Sequence, residues 1–441
     1  MAPANYPSLK SLITAMAALG ADRIVAKPLS ENDNTKQQIY LGGNFESLNV
    51  IPYGSVVEDS APKTPNLKAT IALQWMTSDG RAEPAPHAKL ILYPDYPEVR
   101  LSGFIRGCAS APSAMLQPIP RDQRHSDSGP DGRVLLFGIG KAGTIYAYLA
   151  AANSAVSKAF LADVAEGAFT KSGVFWQRRI DVADDGDARA ELLARLRTIR
   201  NNGWHWSRRL RRGEVVAYQA PNGGGYTLEA LFDINPNGDA TPDFKGWELK
   251  ACGSDRVTLM TPEPNGGYYG EHGAEAFLRR YGREVADGES LYFTGIHRVA
   301  EECKPSGQTL SLRGFQTGGK TFDALGYVEL LDAKGAVSAS WSFAKLLEHW
   351  GRKHAKAAYV PCDSRPGPPR EYSYGSPVLL GEGTSFLKFL SALQSGAVYY
   401  DPAPKLERAA SERPRVHARS QFRVRLPQLP VLYDRWTPEH L

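Results

Sequence analysis

Apolar residues recur every third or fourth position through Leu9, Leu12, Ile13, Met16 and Leu19, which predicts an amphipathic first helix. The pattern then shortens. The runs Ala69–Trp75, Ala88–Tyr93 and Arg133–Ile139 are apolar, brief and bounded by Gly, Pro, Asn and Asp, as strands are. Between them, Ala109 to Asp131 is polar and proline-bearing and reads as a long exposed loop. A helix-like stretch follows from Tyr148 to Glu166, and the acidic run Asp181–Asp187 reads as a linker. Beyond it, Ala188 to Arg200 sets Leu192, Leu193, Leu196 and Ile199 on one helical face. Elements of both kinds then alternate, a pattern that suits a mixed sheet flanked by helices. Cys362 to Tyr372 is proline-rich and reads as a loop, and no internal repeat is present. The expectation is two domains: 1–180, mainly β, and 186–441, α/β with a central mixed sheet.

Composition narrows the class. A chain of 441 residues is long for one core and suits two. Hydrophobic residues at 42% and charged residues at 22% are ordinary for a globular protein. No run approaches the roughly 20 apolar residues of a membrane span, and no basic leader precedes the first apolar stretch, so a cytoplasmic protein without a signal peptide is expected. Cys108, Cys252, Cys303 and Cys362 form no CxxC pair, which argues against zinc and against a disulfide framework. The net charge of +5 is modest, but its placement is not even. Arg208, Arg209, Arg211 and Arg212 follow Trp204-His205-Trp206, and a second basic stretch holds Arg408, Arg413, Arg415, Arg419, Arg423 and Arg425. Arginine forks match phosphate oxygens and guanine edges, although a solvated basic face is the alternative for either cluster alone.

One segment carries chemistry. Tyr226 to Phe232 suggests a short helix after Gly223-Gly224-Gly225, with Glu229 on it, and Asn235 to Asp239 is a turn by composition. Pro242-Asp243 leads into a strand on which Glu248 and Lys250 share one face while Trp247 and Leu249 take the other. Two carboxylates and a lysine converging are what metal-assisted phosphodiester hydrolysis requires. Asp243, Glu248 and the carbonyl of Leu249 would hold a hard divalent cation such as Mg²⁺. Lys250 would position a water or stabilise charge on the phosphate, and Glu229 would orient water or complete a second metal site. A surface strand with salt bridges is the alternative for the short pattern by itself.

These residues resemble the MvaI/BcnI family of restriction endonucleases, of the PD-(D/E)xK nuclease fold. The likeness runs through Asn202–His205, Gly225–Leu231, Pro242–Lys250, Thr258–Thr261, Phe277–Gly282, Ser340–Leu346, Tyr400–Leu406 and Ser420–Val424, and so spans roughly 186 to 441. It implies a type II endonuclease acting as a monomer on double-stranded DNA, cutting one strand at a time from one active site at CCNGG-type sequences. CCWGG is favoured and CCSGG stays open. Glu229, Asp243, Glu248 and Lys250 match the catalytic set, and Asp401, His417, Arg419 and Arg423 fall where the family reads base edges. A companion DNA methyltransferase in the host is implied as well.

The first part is similar to the EcoRII N-terminal effector domain, a DNA-binding β-pseudobarrel. Lys27–Gln37 carries that likeness, with Gln38–Leu41 as the next strand. It makes Lys27, Asn32, Asp33, Asn34 and Lys36 candidates for DNA contact, with Arg100 and Arg106 the nearest basic candidates beyond them. The organisation then resembles type IIE enzymes, which bind one copy of a site and cut another. Gly138-Ile139-Gly140-Lys141 and Gly223-Gly224-Gly225 lack phosphate-loop spacing and read as turns. Gly266–Gly270 with Gly273 reads as an aromatic surface loop. His349 and His354 lie on a helix starting near Ser342 and are taken as exposed rather than as a metal pair. Two other classes compete: a non-catalytic DNA-binding regulator, and a repair or modification-dependent nuclease on the same fold.

Overall fold

The structure, a computed structural model, describes residues 5–32, 38–43, 45–124, 130–140, 143–180, 188–220, 222–235, 243–285, 289–316, 318–319 and 321–441. Asp33, Asn34, Lys36, the acidic run 181–187 and most of the expected turn at 235–239 lie outside the described residues. The chain divides into two compact units, Met1–Asp185 and Gly186–Leu441.

In the first unit, helix α1 (Leu9–Ala18) begins at Ser8, whose Oγ accepts from the Ser11 amide at 3.1 Å, and buries Leu9, Leu12, Ile13 and Met16 as the periodicity predicts. The strands in order are β1 (Ala21–Pro28), β2 (Ile39–Tyr40), β3 (Val56–Asp59), β4 (Asn66–Thr70), β5 (Ala72–Met76), β6 (Ala82–Pro84), β7 (Lys89–Tyr93), β8 (Glu98–Ser102), β9 (Val134–Gly140) and β10 (Thr144–Ala150). Helix α2 (Ala155–Ala165), β11 (Thr170–Ser172) and β12 (Phe175–Arg179) complete the unit. Among the described residues these make a seven-stranded sheet, β11-β12-β1-β9-β10-β5-β6, and a five-stranded sheet, β2-β8-β7-β4-β3. The unit is mainly β, but both sheets end in open edge strands and no closed barrel forms among the described residues. The core joins α1 and α2 to the larger sheet through Met16, Ile24, Leu136, Val156 and Phe160.

Three boundaries differ from the sequence reading. The run at 69–75 is two strands in different sheets, because the chain crosses between sheets at Ile71 while the inward alternation (Leu67, Ala69, then Leu73, Trp75) continues unbroken. Tyr148 to Ala150 closes β10, and the helix starts only after the Ser154 cap. Gly138 to Gly140 is strand rather than turn: a Cβ on Gly138 would lie 2.9 Å from Met16 Sδ, so the missing side chain lets α1 sit directly on the sheet.

The second unit opens with α3 (Ala188–Asn201), β13 (His205–Trp206), a hairpin of β14 (Arg208–Arg211) and β15 (Glu214–Ala217), α4 (Gly223–Leu231), β16 (Glu248–Cys252) and β17 (Arg256–Met260). Next come α5 (Gly267–Tyr281), β18 (Arg283–Glu284), β19 (Leu291–Tyr292), β20 (Glu302–Cys303), β21 (Gln308–Arg313), β22 (Tyr327–Leu331) and β23 (Val337–Ser342). The remainder is α6 (Phe343–Lys353), β24 (Lys356–Arg365), β25 (Glu371–Tyr374), β26 (Val378–Glu382), α7 (Phe386–Gln394), β27 (Val398–Tyr400), β28 (Lys405–Glu407), β29 (Arg415–His417), β30 (Phe422–Arg425) and β31 (Arg435–Glu439). A mixed sheet ordered β13-β25-β24-β26-β31 takes β16 as a parallel neighbour of β24, the only parallel pair among its described strands. Leu192, Leu196 and Ile199 of α3 and Leu228 and Phe232 of α4 pack with Trp247, Leu249, Ala358 and Val360.

Glycines account for two further differences. Gly223 to Gly225 form the first turn of α4 instead of preceding it, since a Cβ on Gly223 would lie 2.4 Å from Ser207 Oγ and one on Gly224 3.1 Å from Cys362 Sγ. Gly267 to Gly270 open α5, which is interrupted at Gly273 (φ 81). Cys362 to Arg365 are strand rather than loop, held against β25. His354, expected to be exposed, is 1% exposed, stacks on Trp350 at 4.3 Å and bonds Leu259 O through Nε2 at 3.1 Å. Among the described residues no helix is long and apolar enough to cross a membrane.

Candidate active site

Strand β16 sets the site's geometry. Its core side carries Leu249, 6% exposed, which packs with Trp247 against α3 and α4. Pleating then forces Glu248 and Lys250 together onto the other face. Lys250 Nζ stands 3.2 Å from Glu248 Oε1, with side chains 18% and 7% exposed. The second oxygen, Glu248 Oε2, is buried and has no hydrogen-bond partner. A buried carboxylate oxygen without a donor is costly, so its presence needs an explanation.

Asp243 lies in the loop before β16, where Phe244 and Trp247 exchange backbone bonds of 2.9 and 2.8 Å. Lys245 (φ 45) and Gly246 (φ 89) make the intervening turn left-handed. That tight turn brings Asp243 back onto the strand, and its Oδ2 accepts from the Leu249 amide at 2.8 Å. Glu229, half-buried, rides on α4, which packs against β16. The structure therefore assembles Asp243, Glu248 and Lys250 around one strand, with the helix of Glu229 beside it. Among the described residues no three His, Cys, Asp or Glu side chains form a metal cluster. Two carboxylates and the Leu249 carbonyl are a smaller donor set, all oxygen, of the kind that suits a hard cation retaining waters. The unpartnered Glu248 Oε2 fits such an ion.

Sequence reasoning missed the neighbours on β24. Tyr359 is the cross-strand partner of Lys250 and is fully buried, and its hydroxyl meets that of Tyr433 at 2.7 Å. Burial pushes the Tyr359 phenol well above its ordinary range, so it stays neutral. Nothing in local sequence marks it, because the pairing spans distant segments. Cys252, next along the Glu248–Lys250 face, is pushed up to about 12 by burial and stays a thiol.

The family model described as the MvaI/BcnI restriction endonuclease family matches residues 193–433. The chain belongs to this family. It is accordingly a restriction-type nuclease, and the second unit has a restriction-endonuclease-like fold built on a mixed sheet. Among solved structures the chain is similar to "Restriction endonuclease MvaI-cognate DNA substrate complex", at 16% identity and TM-score 0.45, covering 58% of this chain and 99% of that one. It is also similar to "Restriction endonuclease MvaI in the absence of DNA", at 16% identity and TM-score 0.33 with the same coverage. None of the curated proteins compared matches the chain.

The other candidates of this family member fall into distinct settings. Asp401 and Arg423 are joined by a 2.8 Å ion pair, and Arg423 Nε donates to Thr258 Oγ1 at 3.2 Å. Backbone bonds from Asp401 N to Gln421 O at 2.8 Å and from Ala403 N to Arg419 O at 3.0 Å bring those segments side by side, leaving Arg419 exposed. His417 Nε2 lies 3.2 Å from Glu407 Oε2, a carboxylate held low chiefly by its bond to Lys405. Arg208 and Arg209 occupy β14. In the first unit, Lys27 is on β1, where burial lowers its pKa, while Arg100 is on β8 in the other sheet and is engaged by Glu98, Gln38 and the Tyr93 ring. Asn32 lies beside Ile119, whose amide it accepts at 2.8 Å, and Arg106 is exposed after β8. The described N-terminal candidates thus lie on different elements.

Proposed function

We propose that this chain is a type II restriction endonuclease that hydrolyses one strand of double-stranded DNA at a time, from a single Mg²⁺-dependent site, at short CCNGG-type sequences, with CCWGG favoured. The observation that carries the reading is the buried, unpartnered Glu248 Oε2 beside Lys250, with Asp243 tied back to the same strand. Asp243, Glu248 and the Leu249 carbonyl would hold the ion, which when bound polarises the phosphate and makes its water more acidic. The protein's own groups supply the rest. Lys250 donates to a non-bridging phosphate oxygen as charge builds there, and Glu248 holds its ammonium in place. Glu229 accepts a hydrogen bond from the attacking water and aims it in line with the departing 3′ oxygen. Asp401, His417, Arg419 and Arg423 would read base edges, Asp accepting from the cytosine amino group and Arg donating to guanine O6 and N7. On this reading the catalytic unit works as a monomer, and the host carries a companion methyltransferase.

The mainly β first unit would act as an EcoRII-like effector domain, a pseudobarrel variant with open edges, through Lys27, Asn32, Asp33, Asn34, Lys36, Arg100 and Arg106. The enzyme would then be of type IIE, with one site bound and a second one cut.

The test is cleavage of a sequenced plasmid with Mg²⁺, alongside Asp243→Ala and EDTA controls, with every cut end mapped. Discrete cuts at CCNGG-type sites, lost in both controls, are expected. Tight binding without cleavage of either unmodified or methylated DNA would replace the nuclease reading with that of a regulator.

A further inference from the structure

Several arginines in the second unit have acidic partners: Arg279 with Glu275, Arg313 with Glu329, Arg365 with Glu371, Arg423 with Asp401 and Arg425 with Asp255. The β14–β15 hairpin differs from these. Among the described residues Arg208, Arg209, Arg211 and Arg212 have no carboxylate within ion-pair range, and the cross-strand neighbour of Arg211, Glu214, does not pair with it. Arg208 and Arg209 each keep a buried Nε with no acceptor.

Aromatic rings hold two of these guanidinium groups instead. Arg208 stacks over Trp206 at 4.8 Å and Arg209 over Tyr218 at 5.2 Å. His205 donates through Nε2 to Ile199 O at 2.8 Å, so its Nδ1 is an acceptor for Arg208 Nη2 at 3.4 Å. Ring stacking and an imidazole nitrogen orient a guanidinium without cancelling its charge. The hairpin's turn adds a third observation. Arg212 (φ 54) and Gly213 (φ 84) form a two-residue connection with both φ positive, the geometry that Asn-Gly adopts with least strain. An arginine sits there at some backbone cost.

The hairpin is also fixed to the catalytic helix. The Arg208 amide donates to Thr227 Oγ1 at 3.1 Å, and Thr227 is fully buried on α4, two residues before Glu229.

We infer that the β14–β15 hairpin, through Arg208 and Arg209 set on Trp206 and Tyr218 and through Arg211 and Arg212 at its turn, is a sequence-independent clamp for the phosphate backbone of duplex DNA. This rests on the reading that the chain acts on DNA, and it adds what the hairpin takes: phosphate oxygens, not base edges. Uncompensated, ring-mounted arginines on a ribbon suit consecutive phosphates. The bond to Thr227 makes the seated backbone a reference for α4, so grip outside the recognition sequence places Glu229 relative to the scissile phosphate.

Each phosphate contact adds about 0.9 to the slope of log affinity against log salt. Wild type, Arg209→Ala/Arg211→Ala, Arg209→Lys/Arg211→Lys and the charge-matched control Arg279→Ala/Arg313→Ala are titrated by anisotropy against a 30-base-pair random-sequence duplex, without divalent metal, over a series of KCl concentrations. The hairpin alanine pair is expected to lower the slope by about 2, the lysine pair to keep it, and the control pair to leave it unchanged. Circular dichroism confirms that each variant is folded. An unchanged slope in the hairpin pair, an equal fall in the control pair, or a preference for single strands would overturn the clamp. The assay needs no cleavage: a slope loss in a protein that never cuts would uphold the clamp and sink the nuclease reading, and cleavage with an unchanged slope would do the reverse.

Discussion

Replacing both members of the Glu248–Lys250 pair by methionine should separate stability from activity. The pair is 7% and 18% exposed, with one carboxylate oxygen buried and unbonded. In the absence of metal, the Coulombic gain of such a pair often fails to offset the desolvation of its two charges, and apolar replacement of similar volume is neutral or stabilising by about 1–3 kcal/mol. Lys250→Met alone has the opposite sign. It leaves the Glu248 carboxylate buried without its cation, a loss of about 3 kcal/mol, at the low end of the range for broken buried pairs because Lys250 retains 18% exposure. For a unit of this size, roughly 2–4 °C accompanies each kcal/mol, so the single variant should melt roughly 6–12 °C lower and the double variant no lower than wild type. Thermal melts in EDTA, read by tryptophan fluorescence, report on the second unit because six of the eight tryptophans lie there. Adding Mg²⁺ at about 100 times its Kd should stabilise wild type by about 2.7 kcal/mol and leave the double variant unmoved. Both variants should fail to cut DNA. A Lys250→Met protein as stable as wild type would show that Glu248 carries no uncompensated charge, and the electrostatic account of the site would fall.

Other consequences can be checked alongside. Gly223→Ala should destabilise by about 1–3 kcal/mol through overpacking, since its Cβ would come 2.4 Å from Ser207 Oγ and 3.0 Å from the Tyr372 ring; because the helix of Glu229 must shift, kcat for cleavage should fall more than DNA binding does. His297, fully buried, has its pKa lowered from 6.5 to about 4 by burial, so the unfolded chain takes up its proton first on acidification. Stability linked to this residue is therefore full above pH 6.5 and lost towards pH 4, of order 3 kcal/mol in all, and His297→Gln should flatten that limb of a urea-denaturation series against pH. If the first unit is an effector domain, a short duplex carrying the site should stimulate cleavage of a single-site plasmid by raising occupancy of that unit, and no stimulation at any concentration would remove the type IIE reading.

Local pattern sufficed where one element buried one face. The 3.6-residue stripes of α1 and α3 gave their buried residues directly, and β7 and β9 matched apolar runs almost to the residue. It failed where the reason for a conformation lay across the fold. The inward alternation through Ile71 is identical whether the chain stays in one sheet or passes between two, so composition could not locate that crossing. Glycines at 223–225 and 267–270 read as loop because their helix-breaking tendency is local, whereas their use here, letting helices close onto Ser207, Cys362 and Val337, depends on partners distant in sequence.

The site divides the same way. Strand pleating alone puts Glu248 and Lys250 on one face, and the pair stands 3.2 Å apart. Asp243 is different: its return to the Leu249 amide depends on left-handed backbone at Lys245 and Gly246, of which only the glycine is a sequence signal. Tyr359 and Tyr433 gave none, since Tyr359 meets Lys250 only through the register of a parallel strand pair and Tyr433 joins it only through the hydroxyl contact. Nor could a string of arginines distinguish a solvated surface from a grip on phosphate. What separates them is the partner list. Arg313 and Arg365 have carboxylates as well as rings, Arg208 and Arg209 have rings without a carboxylate, and a charge left uncompensated on the hairpin is one the fold keeps available for an anion from outside the chain.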